Sequence, residues 1–521
     1  MTRYGFVIDQ RKCIGCHACT LACKSENQVP VGSFRTWVKY IEKGEFPNTR
    51  RFFTVERCQH CEDAPCVEIC PTRALYKRND GIVDFDSERC IGCKSCMQAC
   101  PYDALYIDPN SHTAAKCNYC AHRTDRGLLP SCVVVCPVSA IIAGDLEDGT
   151  SQIAQTLARE QVQVRRPDQG TRPQVFYIGA DETAITPGLA AQPSMYMWSE
   201  LGPANVELEP KGSLIQLSNG TGARANGKPT ATGAPTTHAV TVYDVPHPKP
   251  WGWKVATYLW TKSVGGGAVA VAGPLLALGV LGSGLEALAG LLALVFTVLT
   301  AGLLVWDLKR PDRFWRVVLT PNLRSWLPWG AYILVAFGLA SLSWLGVAGV
   351  RASMPGALVW LTVVLGLAAA GYSAFLFGQA EGRDFWQSPL LLPQLLGAAV
   401  VAGAAALLLV GIPSSAGSQA LQTTLLAGVL VTFAVVLAEL YTPHANKDVA
   451  AAAHYLTDGP RARYFWLGYV ALGVVAPVGL LIAAGLGASG WLSPVAALGA
   501  LIGLWFYEDA WVRAGQSVAM S

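Results

Sequence analysis

Two stretches decide the fold: Arg11–Cys23, RKCIGCHACTLAC, and Glu88–Cys100, ERCIGCKSCMQAC, one block repeated 77 residues on. Each sets its cysteines as C-x2-C-x2-C-x3-C: Cys13, Cys16, Cys19, Cys23 and Cys90, Cys93, Cys96, Cys100. A second quartet, Cys58, Cys61, Cys66, Cys70, has four residues between its middle pair, and a fourth, Cys117, Cys120, Cys132, Cys136, has eleven. Proline follows the last cysteine in three quartets (Pro71, Pro101, Pro137), whereas Lys24 follows the first. Three thiolates on a tight loop can hold three irons of a cubane, while the fourth reaches into the neighbouring cluster. The 16 cysteines of the chain then make four 4Fe–4S clusters with none left over. Zinc sites use two C-x2-C pairs and need no third cysteine two residues on. Disulfide frameworks belong to small secreted domains.

Outward from the quartets, Thr2–Ile8 and Gly81–Phe85 read as short strands, and Pro173–Gly179 (PQVFYIG) as a strand closing this half. The expected architecture is an α+β ferredoxin-like four-cluster domain over residues 1–182. A Gly/Pro/Thr-rich linker follows over 183–248, plainest from Asn219 to Thr237. The remainder, 249–521, is of another kind. From Trp251 to Ser521 there is no cysteine, and 271 residues carry only 13 Lys/Arg and 10 Asp/Glu. The whole chain of 521 residues is 52% hydrophobic and 14% charged with net charge +3, which excludes a disordered or nucleic-acid-binding protein.

About eight stretches are long and apolar enough to cross a bilayer, near 254–281, 285–306, 327–348, 355–379, 391–412, 421–441, 464–486 and 491–512. The reading is an all-α polytopic membrane bundle. An even number of spans returns the chain to one side, and that side collects Lys254, Lys309, Arg310, Arg313, Arg316, Arg324, Arg383, Lys447, Arg461, Arg463 and Arg513, against Arg351 on the other. The positive-inside bias puts the cysteine-rich half on the cytoplasmic side of a bacterial or archaeal cytoplasmic membrane. Met1–Gln10 has no export-signal pattern, in keeping with this. The membrane half has only His444 and His454, both between the sixth and seventh spans. A transmembrane haem needs two histidines facing each other inside the bundle, so no haem is expected and the membrane acceptor should be a diffusible quinone, menaquinone or ubiquinone.

The four quartets, with the C-x2-C-x4-C-x3-C second and the long fourth, resemble the electron-transfer subunits of the DMSO-reductase superfamily of molybdenum and tungsten enzymes. The second half is similar to the NrfD-like, polysulfide-reductase-type membrane anchor. It has YLWTKSVGGGA from Tyr258, DLKRPDRFWRVVLTPNLRSW from Asp307 and GYSAFLFGQAEGRDFW from Gly371. In most relatives the two are separate polypeptides. The resemblance implies four sets: Cys13, Cys16, Cys19 with Cys136; Cys117, Cys120, Cys132 with Cys23; Cys58, Cys61, Cys66 with Cys100; and Cys90, Cys93, Cys96 with Cys70. It also implies that the first set faces a large molybdopterin-containing catalytic subunit and the last faces the membrane. Tyr372 matches the family's quinone-contacting tyrosine, and Tyr258 its first-helix polar contact. Lys262, Asp307 and Arg310 lie near the same face, with Glu439 a weaker candidate.

The chain offers no catalytic nucleophile and no dinucleotide fingerprint. The leading expectation is therefore a redox subunit passing electrons between a catalytic partner and the quinone pool. Two alternatives stand beside it: a redox-coupled ion translocator, and an anchor serving a soluble carrier. Glu286 and Arg351 alone mark the far side, so quinone is expected to exchange protons on the cytoplasmic side.

Overall fold

A computed structural model describes residues 2–45, 47–191, 239–281, 283–350, 353–411, 415–487 and 489–521. Arg351 and the stretch Asn219–Thr237 lie outside the described residues. The N-terminal half is built on β1 (Tyr4–Asp9), whose Phe6, Val7 and Ile8 are all fully buried. Alternation sends Phe6 and Ile8 to the face that holds Cys19 and Cys132, and Val7 to the opposite face with Ile142 and Ile153. β1 pairs in parallel with β10 (Val175–Ile178) and antiparallel with β8 (Ile141–Asp145), while β9 (Val162–Gln163) extends the sheet beyond β10. The strand read at the end of this half is thus central in the sheet.

A second sheet joins β2 (Thr36–Lys43) to β3 (Arg50–Arg57). Two small hairpins, β4 (Leu75–Lys77) with β5 (Val83–Phe85) and β6 (Leu105–Ile107) with β7 (Ala114–Lys116), flank the middle quartets. The second sheet corrects the linker boundary. β11 (Ala239–Tyr243) pairs antiparallel with β2, and Ala191 bridges to Val240. Both described ends of the 183–248 segment therefore belong to the iron–sulfur half. The short run Ala239–Tyr243 (AVTVY), with Ala239 and Thr241 buried and Val240 exposed, fills an open sheet edge, which the Gly/Thr-rich composition around it concealed.

Among the described residues the second half contains eight long helices: Trp253–Ala277, Ser283–Asp307, Trp326–Gly349, Gly356–Gly378, Leu391–Val410, Ser415–Tyr441, Tyr464–Gly485 and Leu492–Gly515. Among the described residues seven are apolar enough to count as membrane spans; the first is the exception. Lys262 and the glycines at 265–267 lower its hydropathy because it is the hub of the bundle, packed against the second, fourth, fifth and eighth spans. A Cβ on Gly267 would collide with the Ala399 carbonyl oxygen, and one on Gly266 with that of Gly366. Only glycine permits these helix crossings. The seventh span is π-helical from Tyr464 to Val475 and becomes α-helical at Ala476, just before Pro477.

Candidate metal centres and membrane ligand site

Backbone conformation explains the cysteine spacing. In every quartet the residue before the second cysteine has positive φ: Gly15 (70°), His60 (45°), Gly92 (68°) and Tyr119 (61°). This turn aims backbone N–H groups at sulfur. Gly92 N–H donates to Cys90 Sγ at 3.4 Å and His60 N–H to Cys58 Sγ at 3.5 Å. After the last cysteine, each Cys-Pro pair is followed by a second left-handed residue: Arg73, Asp103 and Ser139. Proline stops the helix and the chain turns away. With Lys24 in that place, the helix Ala18–Asn27 runs on past Cys23.

The turns bring the thiols together in fours. Cys13, Cys16, Cys19 and Cys136 line one cavity; Cys23, Cys117, Cys120 and Cys132 another; Cys70, Cys90, Cys93 and Cys96 a third. Cys66 has Cys100, Cys58 and Cys61 around it. Among the described residues no three His, Cys, Asp or Glu side chains converge as the ligands of a single ion do. Thiols ringing a cavity suit a four-iron cage, which holds them further apart than one ion would. The groups also form a line: Cys19 neighbours Cys132, Cys117 neighbours Cys58, and Cys96 neighbours Cys66.

Two buried cations lie along this line. Arg57 donates to Cys132 Sγ at 3.3 Å and stands among Cys117 and Cys19. Lys116 donates to the carbonyls of Val83 and Cys117, between the Cys117 and Cys58 groups. At the first group, exposed Ile14, Leu21, Val134 and Val135 surround exposed Cys16 and half-buried Cys136.

The other end docks on the membrane half. Lys309 N–H donates to Gly92 O at 3.3 Å and Arg310 N–H to Ile91 O at 3.1 Å. Arg313 reaches Cys90 O (3.2 Å), Asn322 reaches Cys70 O (2.8 Å), and Trp251 Nε1 reaches Cys93 O (3.4 Å). Gly382 closes on Cys100, where a Cβ would meet the backbone at 2.8 Å. Trp251 stacks on Trp386 at 5.4 Å between ring centres, and Phe377 packs edge-on against both Trp386 and Trp511. Arg166, buried in the iron–sulfur half, pairs with Asp448 (3.0 Å) of the membrane half.

Below this seam the structure gathers Tyr258, Lys262 and Tyr372, with Asp307 at the edge of the group. Tyr258 lies beside Tyr372, and Lys262 Nζ sits 5.0 Å from the centre of the Tyr372 ring. Gly330 of the third span lets that ring lie against its helix, since a Cβ there would collide with the ring. Asp307 still lies beside Tyr258 while an ion pair with Lys94 (2.7 Å) ties it to the iron–sulfur half. Arg310 is removed from the group altogether, paired with Asp312 (2.8 Å) and donating to Ser111 O (3.3 Å). A long side chain in a loop follows the nearest carbonyls, which proximity in sequence to Asp307 could not reveal. Glu439 belongs to a separate buried group, accepting from Tyr507 at 3.4 Å. Sequence reasoning missed Glu508 of the eighth span, which is buried beside Lys262 and Tyr258. The signal was there: a Glu-Asp pair inside an apolar run.

Residues 241–507 match the polysulphide reductase family NrfD, and residues 12–75 and 49–146 match 4Fe–4S dicluster domains. A tetrathionate reductase subunit of Salmonella typhimurium is 44% identical over 204 residues, covering 38% of this sequence and 81% of that protein. A polysulfide reductase component of Wolinella succinogenes is 41% identical over 181 residues, covering 34% and 94%. The iron–sulfur subunit of the arsenate respiratory reductase of a Shewanella species is 34% identical over 226 residues, covering 34% and 96%. Each of these relatives therefore resembles only a part of this protein.

Proposed function

This protein belongs to the NrfD polysulphide reductase family through its membrane half and to the 4Fe–4S reductase subunits through its N-terminal half; from this we propose a fused electron-transfer and membrane-anchor subunit of a membrane-bound molybdopterin oxidoreductase. It carries electrons between a large catalytic partner and the quinone pool. The observation that carries the reading is the line of cysteine groups, ending where the membrane half docks over Tyr258, Lys262 and Tyr372. The four sets named above would hold the clusters, which when bound supply one-electron transfer. The protein's part is to seat them in line, bury them and place cations between them.

The exposed apolar rim at the Cys13 group suits a large partner. At the opposite end, Tyr258, Lys262 and Tyr372 form a buried site that suits a quinone head group. His444 lies in a loop and His454 on the short helix Lys447–Thr457, an arrangement that supports quinone rather than haem as the membrane redox partner. We place the iron–sulfur half on the cytoplasmic side. Arg310, Arg313 and Arg383 bond to that half, and the remaining basic residues of the same face still carry the bias.

Metal analysis of the gently extracted complex tests the assignment. About 16 iron with molybdenum or tungsten and a large co-purifying polypeptide is expected, together with cluster reduction on adding quinol. Iron without either metal and no large partner would overturn it. Thiol labelling at an engineered cysteine in place of Asp148 in sealed vesicles tests the side: protection from an impermeant reagent in right-side-out vesicles is expected.

A further inference from the structure

Glu508 and Asp509 are adjacent carboxylates on the eighth span, both deeply buried, yet treated in opposite ways. Asp509 is fully engaged, accepting from Arg513 Nε at 3.0 Å and pairing with Arg461 at 3.3 Å. Glu508 is 4% exposed, and neither of its carboxylate oxygens has a hydrogen-bond partner. The charged side chain facing it is Lys262, 2% exposed, whose Nζ also lacks a partner. The two are neighbours without touching. Tyr258 lies beside Glu508 and Tyr372, and the Tyr372 ring lies beside Lys262 Nζ.

Depth supports a shared task. Lys262 is nine residues inside the start of its helix, about 14 Å at 1.5 Å per residue, and Glu508 is seven residues from the end of its own, about 10 Å. Both therefore reach one level, on the side where the iron–sulfur half docks. A structural pair would close into contact, because two buried charges without hydrogen bonds are costly in hydrocarbon. Unpartnered polar atoms on facing helices, with two tyrosines beside them, instead describe a site for a polar guest.

We propose that Glu508 is the residue that exchanges protons with quinone at this site, with Lys262 and the two tyrosines orienting the head group. The inference rests on the quinone reading above. In quinol oxidation each electron passing to the iron–sulfur half is matched by one proton: a quinol O–H breaks and an O–H forms on the Glu508 carboxylate. The carboxyl then releases that proton to water on the docking side and accepts the second. Quinone reduction runs the same steps in reverse. The engaged Asp509 cannot substitute, since its oxygens are held by two arginines.

The test uses the intact complex with a short-chain naphthoquinol and a fluorescent hydroxyquinoline N-oxide whose quenching reports occupancy of the site. Glu508→Gln should retain quenching while quinol-dependent turnover falls about 100-fold, at the low end for losing a general acid–base group. Glu508→Asp should recover part of the rate. The double variant Lys262→Met with Glu508→Gln should stay as slow as Glu508→Gln alone. Turnover of Glu508→Gln within twofold of the native complex, or recovery in the double variant, would overturn the proposal and leave Glu508 as mere charge compensation. Absence of quenching in the native complex would instead overturn the quinone reading itself.

Discussion

At the scale of single residues, the cysteine spacing is a statement about backbone turns, and the cations between the turns are a statement about electron energy. Arg57 is fully buried with its guanidinium on Cys132 Sγ. A positive charge beside a cluster favours its reduced, more negative form. Arg57→Gln should therefore lower the reduction potential of the Cys117 group, read by redox titration of the paramagnetic signals, without loss of iron. Cys93 has a different role, as one of four thiols around the membrane-nearest cavity. Cys93→Ser should abolish or convert that cluster alone, and paramagnetic resonance spectra identical to those of the native protein would contradict the grouping.

At the scale of elements, eight long helices were legible in the sequence, seven of them apolar enough to span, and most of their bounds fall within a few residues of those expected. The first span is the one whose composition understated it. Its glycines look like weak helix formers, yet they are what lets it cross the fourth and fifth spans at backbone distance. Gly267→Ala should cost about 3 kcal/mol or more, the upper end of overpacking, because its Cβ would meet helix backbone, and Gly267→Val should abolish recovery of folded protein, judged by the yield of monodisperse material in mild detergent. The strand Ala239–Tyr243 was not legible. A five-residue run of strand-prone residues at the edge of a polar, Gly-rich stretch becomes a strand only because β2 offers it an edge.

At the scale of the whole molecule, two halves of opposite solvent preference are fastened by polar ties rather than by a shared apolar core alone. His247, just before the first span, pairs with Asp103 (2.6 Å) and Asp244 (3.3 Å), and lies 3.2 Å from Ser521 Oγ. Buried Arg165 pairs with Glu56 and donates to Met520 O (3.3 Å). Burial would lower the His247 pKa, but the hydrogen bonds to Asp103 and Asp244 outweigh it and raise the imidazolium to about 10. The unfolded value is about 6.5. A raised folded pKa means that this tie is fully present below pH ~6.5 and is lost as the pH climbs to about 10. His247→Asn should lower the thermal midpoint of the detergent-solubilised protein near pH 6, with each lost charged hydrogen bond worth about 1.5–3 kcal/mol. The difference from native protein should shrink steadily toward pH 10.

The sequence by itself determined the properties that are local: four cysteine loops, the strands around them and the succession of apolar helices. Ligand spacing, alternation and span length are all read within a few residues of one another, so no distant contact was needed. Tertiary structure alone decided what depends on residues far apart in the chain. It decided that Arg310 leaves the membrane site for the Ile91 and Ser111 carbonyls, that Asp307 pairs with Lys94, and that the motifs beginning at Asp307 and Gly371 supply docking loops against the Cys90–Cys100 loop. It also decided that Glu508, separated from Lys262 by 246 positions, stands unpartnered beside it. A carboxylate in an apolar helix is visible in any sequence; whether another side chain meets it is a fact of packing.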